Sequence, residues 1–327
     1  MIKNKKLLIF ILIIVFIILS TILLITINNN VDNKDYYKKQ YETLIQSQED
    51  KLIIDKQEFI NNTIKFSNAG RIAQLYLPEY FPYYGDNKIV FLPINNDYIV
   101  NNYHTYDSIN NFTYNDNILE YNDSNTKSLF GIDISEYQKE IDWDILKQDN
   151  KVQYVFIRVG YRGYGTGKIK LDEMFKEHIE NANKYNIKVG VYFFSGAINT
   201  TEAIEEAQFV LDNIKDYNIE LEVVFDMEEI DSDSSRMKNL NNNDKTLITK
   251  AFLDTIKSNG YTPMTYGNPR WFMEHVNYNE LQDYNLWFAN YSNFNWPYHV
   301  NYYQYSKSLN INGIKGLVDG NIKFIKQ

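Results

Sequence analysis

The 327-residue sequence contains no cysteine and only 4 histidines. Without cysteine there can be no disulfide, thiolate zinc site, thiol nucleophile or lipid-modified N-terminal cysteine, and thiol redox chemistry is excluded with them. Four histidines leave very little for a metal cage. Positive charge is also short: 33 Lys and Arg stand against 42 Asp and Glu, a formal net charge of −9. The broad basic footprint that nucleic acid demands is missing, so no DNA or RNA partner is expected. What is present is 44% hydrophobic, 23% charged and 16% aromatic, the balance of a folded chain of one or two domains. Tyrosine is in excess, at 28 residues. It fits a sugar-stacking surface as well as the Asn-, Ile- and Lys-rich usage of an AT-rich genome.

From Leu7 to Ile27 runs LLIFILIIVFIILSTILLITI, with no charge. At about 1.5 Å rise per residue, a helix of that length crosses a hydrocarbon core of about 30 Å. A cleaved signal peptide would need a shorter apolar stretch and a small-x-small cleavage site, and neither is present. Lys3, Lys5 and Lys6 precede the run and Asp32 and Asp35 follow it. The positive-inside rule then keeps Met1 in the cytoplasm and sends the remainder outside. Residues 1–28 are therefore expected to be a single-pass transmembrane signal anchor in the cell membrane. Residues 29–66 contain no Gly or Pro, and Tyr37, Tyr41 and Leu44 follow i, i+4, i+7 spacing, which predicts a solvated stalk helix. Between residues 67 and 127, Pro78, Pro82, Gly85 and Pro93 punctuate the chain. KIVFLPI and DYIV there look like short strands and NNFTYNDNILEYNDSN is polar and turn-rich, so a linker or small accessory region is expected.

From residue 128 to the end, apolar β-branched runs alternate with helix-patterned segments. LFGIDIS, YVFIRVGY, VGVYFF, LEVVFDME, PMTYG, LWFANY, NYYQYS and GLVDGN are of strand length. LDEMFKEHIENANKYN and TEAIEEAQFVLDNIKDY have helical periodicity, and Asn199 with Glu202 three residues on supplies a capped start for the second. This alternation predicts parallel strands with crossover helices. Eight strands in about 200 residues suit a closed, TIM-like β/α barrel over 128–327, whose active face lies at the carboxyl ends of the strands.

Three of those strands carry acids among apolar neighbours. In VVFDMEE, period-2 alternation sends Asp226 and Glu228 to one side. Like-charge repulsion and partial burial raise the pKa of one member of such a pair, so that one carboxyl stays protonated beside an anion. Glycoside hydrolysis needs that division of labour. Asp133 ends the first strand in GIDIS, and Asp319 follows the last strand in GLVDG; first and last strands are neighbours in a closed barrel, so these two acids are expected to be close. A carboxylate in such surroundings must be paired, hydrogen-bonded or functional. Arg158 in FIRVG is a counter-ion for the acids or a member of a structural ion pair.

GIDISEYQKEIDW, YVFIRVGYRGYGTG, VGVYFF, VVFDMEE, LWFANYS, YYQYS and GLVDGN, in this order, resemble the lysozyme-type muramidases of glycoside hydrolase family 25. The resemblance covers about 128–325. It implies an irregular eight-stranded β/α barrel whose last strands lack intervening helices. It also implies cleavage of the β-1,4 bond between N-acetylmuramic acid and N-acetylglucosamine, with peptidoglycan glycan strands as partner and no cofactor or metal. By motif position Glu228 corresponds to the catalytic acid and Asp226 to its carboxylate partner, with Asp133 and Asp319 as further active-site acids. Tyr192, Tyr266 and Gln304 fall where the family places substrate-contacting groups; Tyr291, at another strand end, is a further candidate sugar-facing group, and Arg158 completes the binding set. Tyr303, Met227 and Phe193 stand where many members carry Trp, Trp and His. By alternation all three face away from the acids, which makes them packing variants. A non-catalytic, membrane-tethered glycan-binding protein on the same barrel is the competing class; it would need no titrating pair. Spacing leaves retention and inversion both open.

Overall fold

The computed structural model describes residues 77–85, 88–94, 111–291, 294 and 296–327. The expected anchor, the stalk and DYIV lie outside the described residues. Among the described residues no helix is long and apolar enough to cross a membrane. The chain divides into two compact units between Ile94 and Asn95.

In the first unit, β1 (Tyr80–Gly85) pairs antiparallel with β2 (Lys88–Pro93), Tyr80 opposite Pro93, with Phe81 buried. KIVFLP is thus a strand, as expected of this short apolar run. The second unit opens with another hairpin, β3 (Phe112–Asn115) and β4 (Ile118–Tyr121). Asp116 and Asn117 connect them at φ 49° and 66°. Two consecutive left-handed residues match the twist of a two-residue hairpin turn, and Asp and Asn tolerate that conformation best after Gly. The region expected to be one linker or accessory piece therefore contributes a hairpin to each unit. In the second, Phe112 and Tyr121 join an aromatic cluster with Phe294 and Phe324.

Eight strands then close a barrel: β5 (Thr126–Ile134), β6 (Tyr154–Arg162), β8 (Lys188–Phe194), β9 (Val223–Asp226), β10 (Pro263–Gly267), β11 (Asn285–Ala289), β12 (Tyr302–Leu309) and β13 (Val318–Lys326). The short β7 (Ile169–Leu171) hangs antiparallel on β6. Parallel pairing runs from β5 through β6, β8, β9, β10 and β11 to β12. Helices α1 (Trp143–Asp149), α2 (Phe175–Lys184), α3 (Thr200–Ile214) and α4 (Asn242–Ser258) fall between the early strands, whereas β11, β12 and β13 follow one another without an α-helix. Asn199 caps α3 as its sequence suggests, accepting from the Glu202 backbone N–H at 2.9 Å.

All eight sequence-assigned strands are present, with one difference of direction. Parallel pairing was expected throughout, but β13 runs antiparallel to both β12 and β5. Asp319 consequently does not follow the last strand; it is the second residue of β13. Reversal puts the beginning of β13 beside the end of β5, and Asp319 is the register partner of Asp133. A short β12–β13 connection with no crossover helix allows only an antiparallel return.

Alternation fills the barrel with Tyr154, Phe156, Val224, Met264, Trp287 and Tyr302. Phe156 stacks on Trp287 at 4.7 Å between ring centroids. Gly131 and Gly190 make room for these rings: a Cβ would lie 2.3 Å from the Tyr154 and Phe156 rings respectively. On the outer face, Phe193 meets Phe209 of α3 and Phe225 meets Phe252 of α4. Tyr303 packs on Phe288 and Phe294. Phe193 and Tyr303 thus belong to the packing between strands and their covering, and Met227 is buried.

Candidate active site

The interior aromatic layer ends, at the carboxyl side of the parallel strands, in a group of four acids. Asp133 is the penultimate residue of β5 and Asp226 the last of β9. Glu228 stands two residues beyond β9, so the turn leaving the strand positions it rather than the pleat. That turn is pinned from both sides. The Ser195 backbone N–H donates to the Asp226 carbonyl at 2.7 Å, and Glu229 lies 3.5 Å from the Arg270 guanidinium and 3.2 Å from His275 Nε2.

Asp226 and Glu228 interact directly, and both carboxyls are pushed up. For Asp226 burial is the largest cause, followed by the Glu228 and Asp133 charges, and its pKa lies well above the usual range. Burial also raises Glu228, with a hydrogen bond accepted from the Asp226 carboxyl offsetting part of the rise. Oδ1 of Asp226 is buried with no hydrogen-bond partner among the described residues. Two carboxyls that interact this directly, with this little water, hold a proton more tightly than isolated ones. Glu228 is the more exposed of the two.

Asp133 and Asp319 form the second half of the site. Oδ2 of Asp133 accepts from Asn321 Nδ2 at 2.7 Å and from Gln304 Nε2 at 2.9 Å. Burial raises its pKa to about 6 against the lowering effect of those two bonds. Asp319 is pushed up to about 8, by burial first and then by the Asp133 charge, with Lys307 opposing.

The remaining candidates surround these acids. Tyr266 and Tyr291 donate their hydroxyls to Gln304 Oε1 at 2.9 and 2.8 Å. Tyr291 is 47% exposed and forms the rim, with Lys307 Nζ 5.6 Å from its ring centroid. Tyr192 packs edge-on against Trp287, and burial and the Asp133 and Asp226 charges raise its phenol well above the ordinary value. Arg158 is committed elsewhere: its Nε donates to Asp172 at 2.7 Å and its Nη2 lies 3.0 Å from Glu136, with the Tyr137 and Tyr161 rings each at 5.3 Å. Of the two roles open to it, the ion pair is the one realised, although its charge still opposes the rise at Asp226.

Sequence reading missed Asn321 and Trp287. Asn321 bridges the site to the core, since Trp287 Nε1 donates to its Oδ1 at 2.8 Å while its Nδ2 serves Asp133. The signal existed: Asn321 lies two residues past Asp319 and therefore on the same strand face. Among the described residues no group of three or more His, Asp or Glu side chains is arranged to hold a metal ion.

Comparison with known proteins adds two findings. Residues 132–314 match the model of a family described as glycosyl hydrolases family 25. Among solved structures, the chain is similar to the modular autolysin LytC of Streptococcus pneumoniae, solved with a synthetic peptidoglycan ligand, at 21% identity and TM-score 0.55 over 75% of this chain and 57% of that one. It is also similar to the spore cortex lytic enzyme SleM of Clostridium perfringens, at 20% identity and TM-score 0.51 over 60% of this chain and 67% of that one. A third, the virulence factor GHIP of Streptococcus pneumoniae, itself a glycosyl hydrolase 25, shares 21% identity at TM-score 0.50 over 59% of this chain and 86% of that one. At these identities the likeness is one of fold. The chain spans only 57% of the autolysin's length. No curated protein sequence gives a significant match.

Proposed function

Since the chain belongs to glycosyl hydrolases family 25, we propose that it is a lysozyme-type muramidase, hydrolysing the β-1,4 bond between N-acetylmuramic acid and N-acetylglucosamine in peptidoglycan. The observation that carries this reading is the Asp226–Glu228 pair, two interacting buried carboxyls with raised pKa at the mouth of an aromatic-lined barrel. A glycan-binding protein has no use for such a pair, because its repulsion only destabilises the fold.

The proton that Asp226 donates in its hydrogen bond to Glu228 passes to Glu228, the more exposed member, which gives it to the glycosidic oxygen as the C–O bond breaks and leaves Asp226 an anion. As a carboxylate Glu228 then takes a proton from the attacking water. Asp226 stabilises the positive charge that develops on the sugar, directly or by orienting the substrate's own 2-acetamido group as internal nucleophile. Asp133, the more readily ionised of the other two acids, adds negative potential on the same side. Tyr192, Tyr266 and the rim residue Tyr291 present ring faces and edges to the sugar, while Arg158, from behind its own ion pairs, favours the ionised form of Asp226.

The finer reading adds a location. The uncharged run at residues 7–27, with lysines before it and aspartates after it, supports a single-pass membrane anchor that leaves the N-terminus in the cytoplasm and the barrel facing the wall. Tethering confines cutting to the producing cell's own wall during remodelling. Reducing-end analysis of digested peptidoglycan tests the activity: new muramic acid ends support it and new glucosamine ends overturn it. Fractionation of cells, with protease accessibility of the barrel from outside, tests the location.

A further inference from the structure

The family resemblance implies that Gln304 contacts substrate. Its surroundings argue for different work. Gln304 is 2% exposed. A carboxamide offers two N–H donors and one oxygen with two lone pairs. The oxygen of Gln304 accepts from Tyr266 at 2.9 Å and Tyr291 at 2.8 Å, and its nitrogen donates to Asp133 Oδ2 at 2.9 Å and Asp319 Oδ2 at 3.4 Å. The protein uses all four positions, and none is left for a sugar hydroxyl. Nor can the amide be reversed, because its oxygen would then face Asp133 Oδ2 at 2.9 Å with no proton on that carboxylate to share.

The bonds are unequal in a useful way. Asp133 Oδ2 receives two short donors, from Gln304 and Asn321, whereas among the described residues Asp319 receives only the long one from Gln304. Donors stabilise the ionised form of the carboxyl they serve. The charged groups facing the pair are Asp226 and Glu228 from β9 and its following turn, and Lys307 from β12. We propose that Gln304 is a positioning residue which, together with Asn321, keeps Asp133 an anion and leaves the proton shared by the Asp133–Asp319 pair on Asp319. The two tyrosines fix which way its amide points. The kinetic part of this proposal rests on the hydrolase reading; the protonation order does not.

The test uses the full chain and the variant Gln304→Met, which keeps the length and removes both donors without adding a charge. Kinetics on soluble peptidoglycan fragments are expected to show kcat reduced about tenfold or more with KM changed by less than about threefold. The acidic limb of the kcat/KM profile should move to higher pH, because Asp133 loses a donor that held it ionised. A KM raised about tenfold with kcat and the pH profile unchanged would overturn the proposal in favour of substrate contact. Should Gln304→Met fail to fold, Tyr291→Phe at the rim removes one bond that orients the amide and is expected to shift the same limb by a smaller amount; an unmoved limb overturns it. Carbon-13 NMR titration of the aspartate carboxyls in the unmodified protein reads protonation without turnover. Asp319 is expected to titrate at higher pH than Asp133, and the reverse order sinks the assignment even if the chain cleaves peptidoglycan. If the expected order is found and no cleavage occurs, the positioning stands and the muramidase reading fails.

Discussion

The barrel buries carboxyls in two places and treats them in opposite ways. Behind β6 and β8, Glu206 of α3 is fully buried and accepts from Arg162 Nε at 2.7 Å, Ser195 Oγ at 2.6 Å and the Gly196 backbone N–H at 3.3 Å. Arg162 in turn donates to the Gly167 and Glu202 carbonyls and to Glu205. At the mouth, acids face acids, Asp226 Oδ1 has no hydrogen-bond partner among the described residues, and the nearby arginine is already held by Asp172 and Glu136. Where only the fold is at stake, the charge is matched by a cation and hydrogen bonds. Where chemistry is proposed, the mismatch is left standing.

Substitutions can break this contrast, beginning at the mouth. Glu228→Gln is expected to lower the hydrolysis rate by roughly 10²–10⁴-fold while leaving the melting temperature unchanged or raised, read by turbidity of cell-wall suspensions and thermal unfolding. Glu206→Ala should do the reverse. It strands Arg162 away from water without its buried partner, a loss of about 3–5 kcal/mol measured by denaturant unfolding. Its specific activity, per folded molecule, should change little.

Asp319→Asn sharpens the comparison through pH. Asp319 is raised to about 8 and Glu206 to about 7, so the folded chain holds more protons than the unfolded chain between the ordinary carboxyl range and those values. Stability therefore falls as pH rises through that window and is fuller at pH below it. Removing the Asp319 carboxyl should raise the melting temperature at alkaline pH, flatten its decline with pH and reduce activity; an unchanged pH dependence of stability would remove Asp319 from this account. The smallest effect is expected at Glu205→Ala. This second partner of Arg162 has a side chain 56% exposed, against 0% for Glu206, so its loss should cost less than about 1 kcal/mol. An equal cost for the two glutamates would show that burial does not separate them.

Much of this arrangement is legible in the sequence because its signals are local. Apolar runs of strand length mark all eight barrel strands, Asn199 and Glu202 mark the start of α3, and GIDIS, VVFDMEE and GLVDG display their acids between apolar neighbours. The β3–β4 hairpin was less visible, since its strands are 4 residues each and sit in a polar stretch. Alternation correctly paired Asp226 with Glu228, yet the strand ends at Asp226, and it is the pinned turn that holds Glu228 in place. The partners of Arg158 were not legible either: Glu136 and Asp172 lie on separate loops brought together by packing.

By itself, then, the sequence determined the order and approximate length of the strands, the residues on each face and the presence of acids among apolar neighbours, because these depend on near neighbours and on the pleat. Only the tertiary structure decided that β13 reverses, setting Asp319 opposite Asp133, and that the Gln304 amide lies between two tyrosines and those two aspartates. Pairing direction and hydrogen-bond partners arise from contacts between residues far apart in the chain, and those come into being only when the barrel closes.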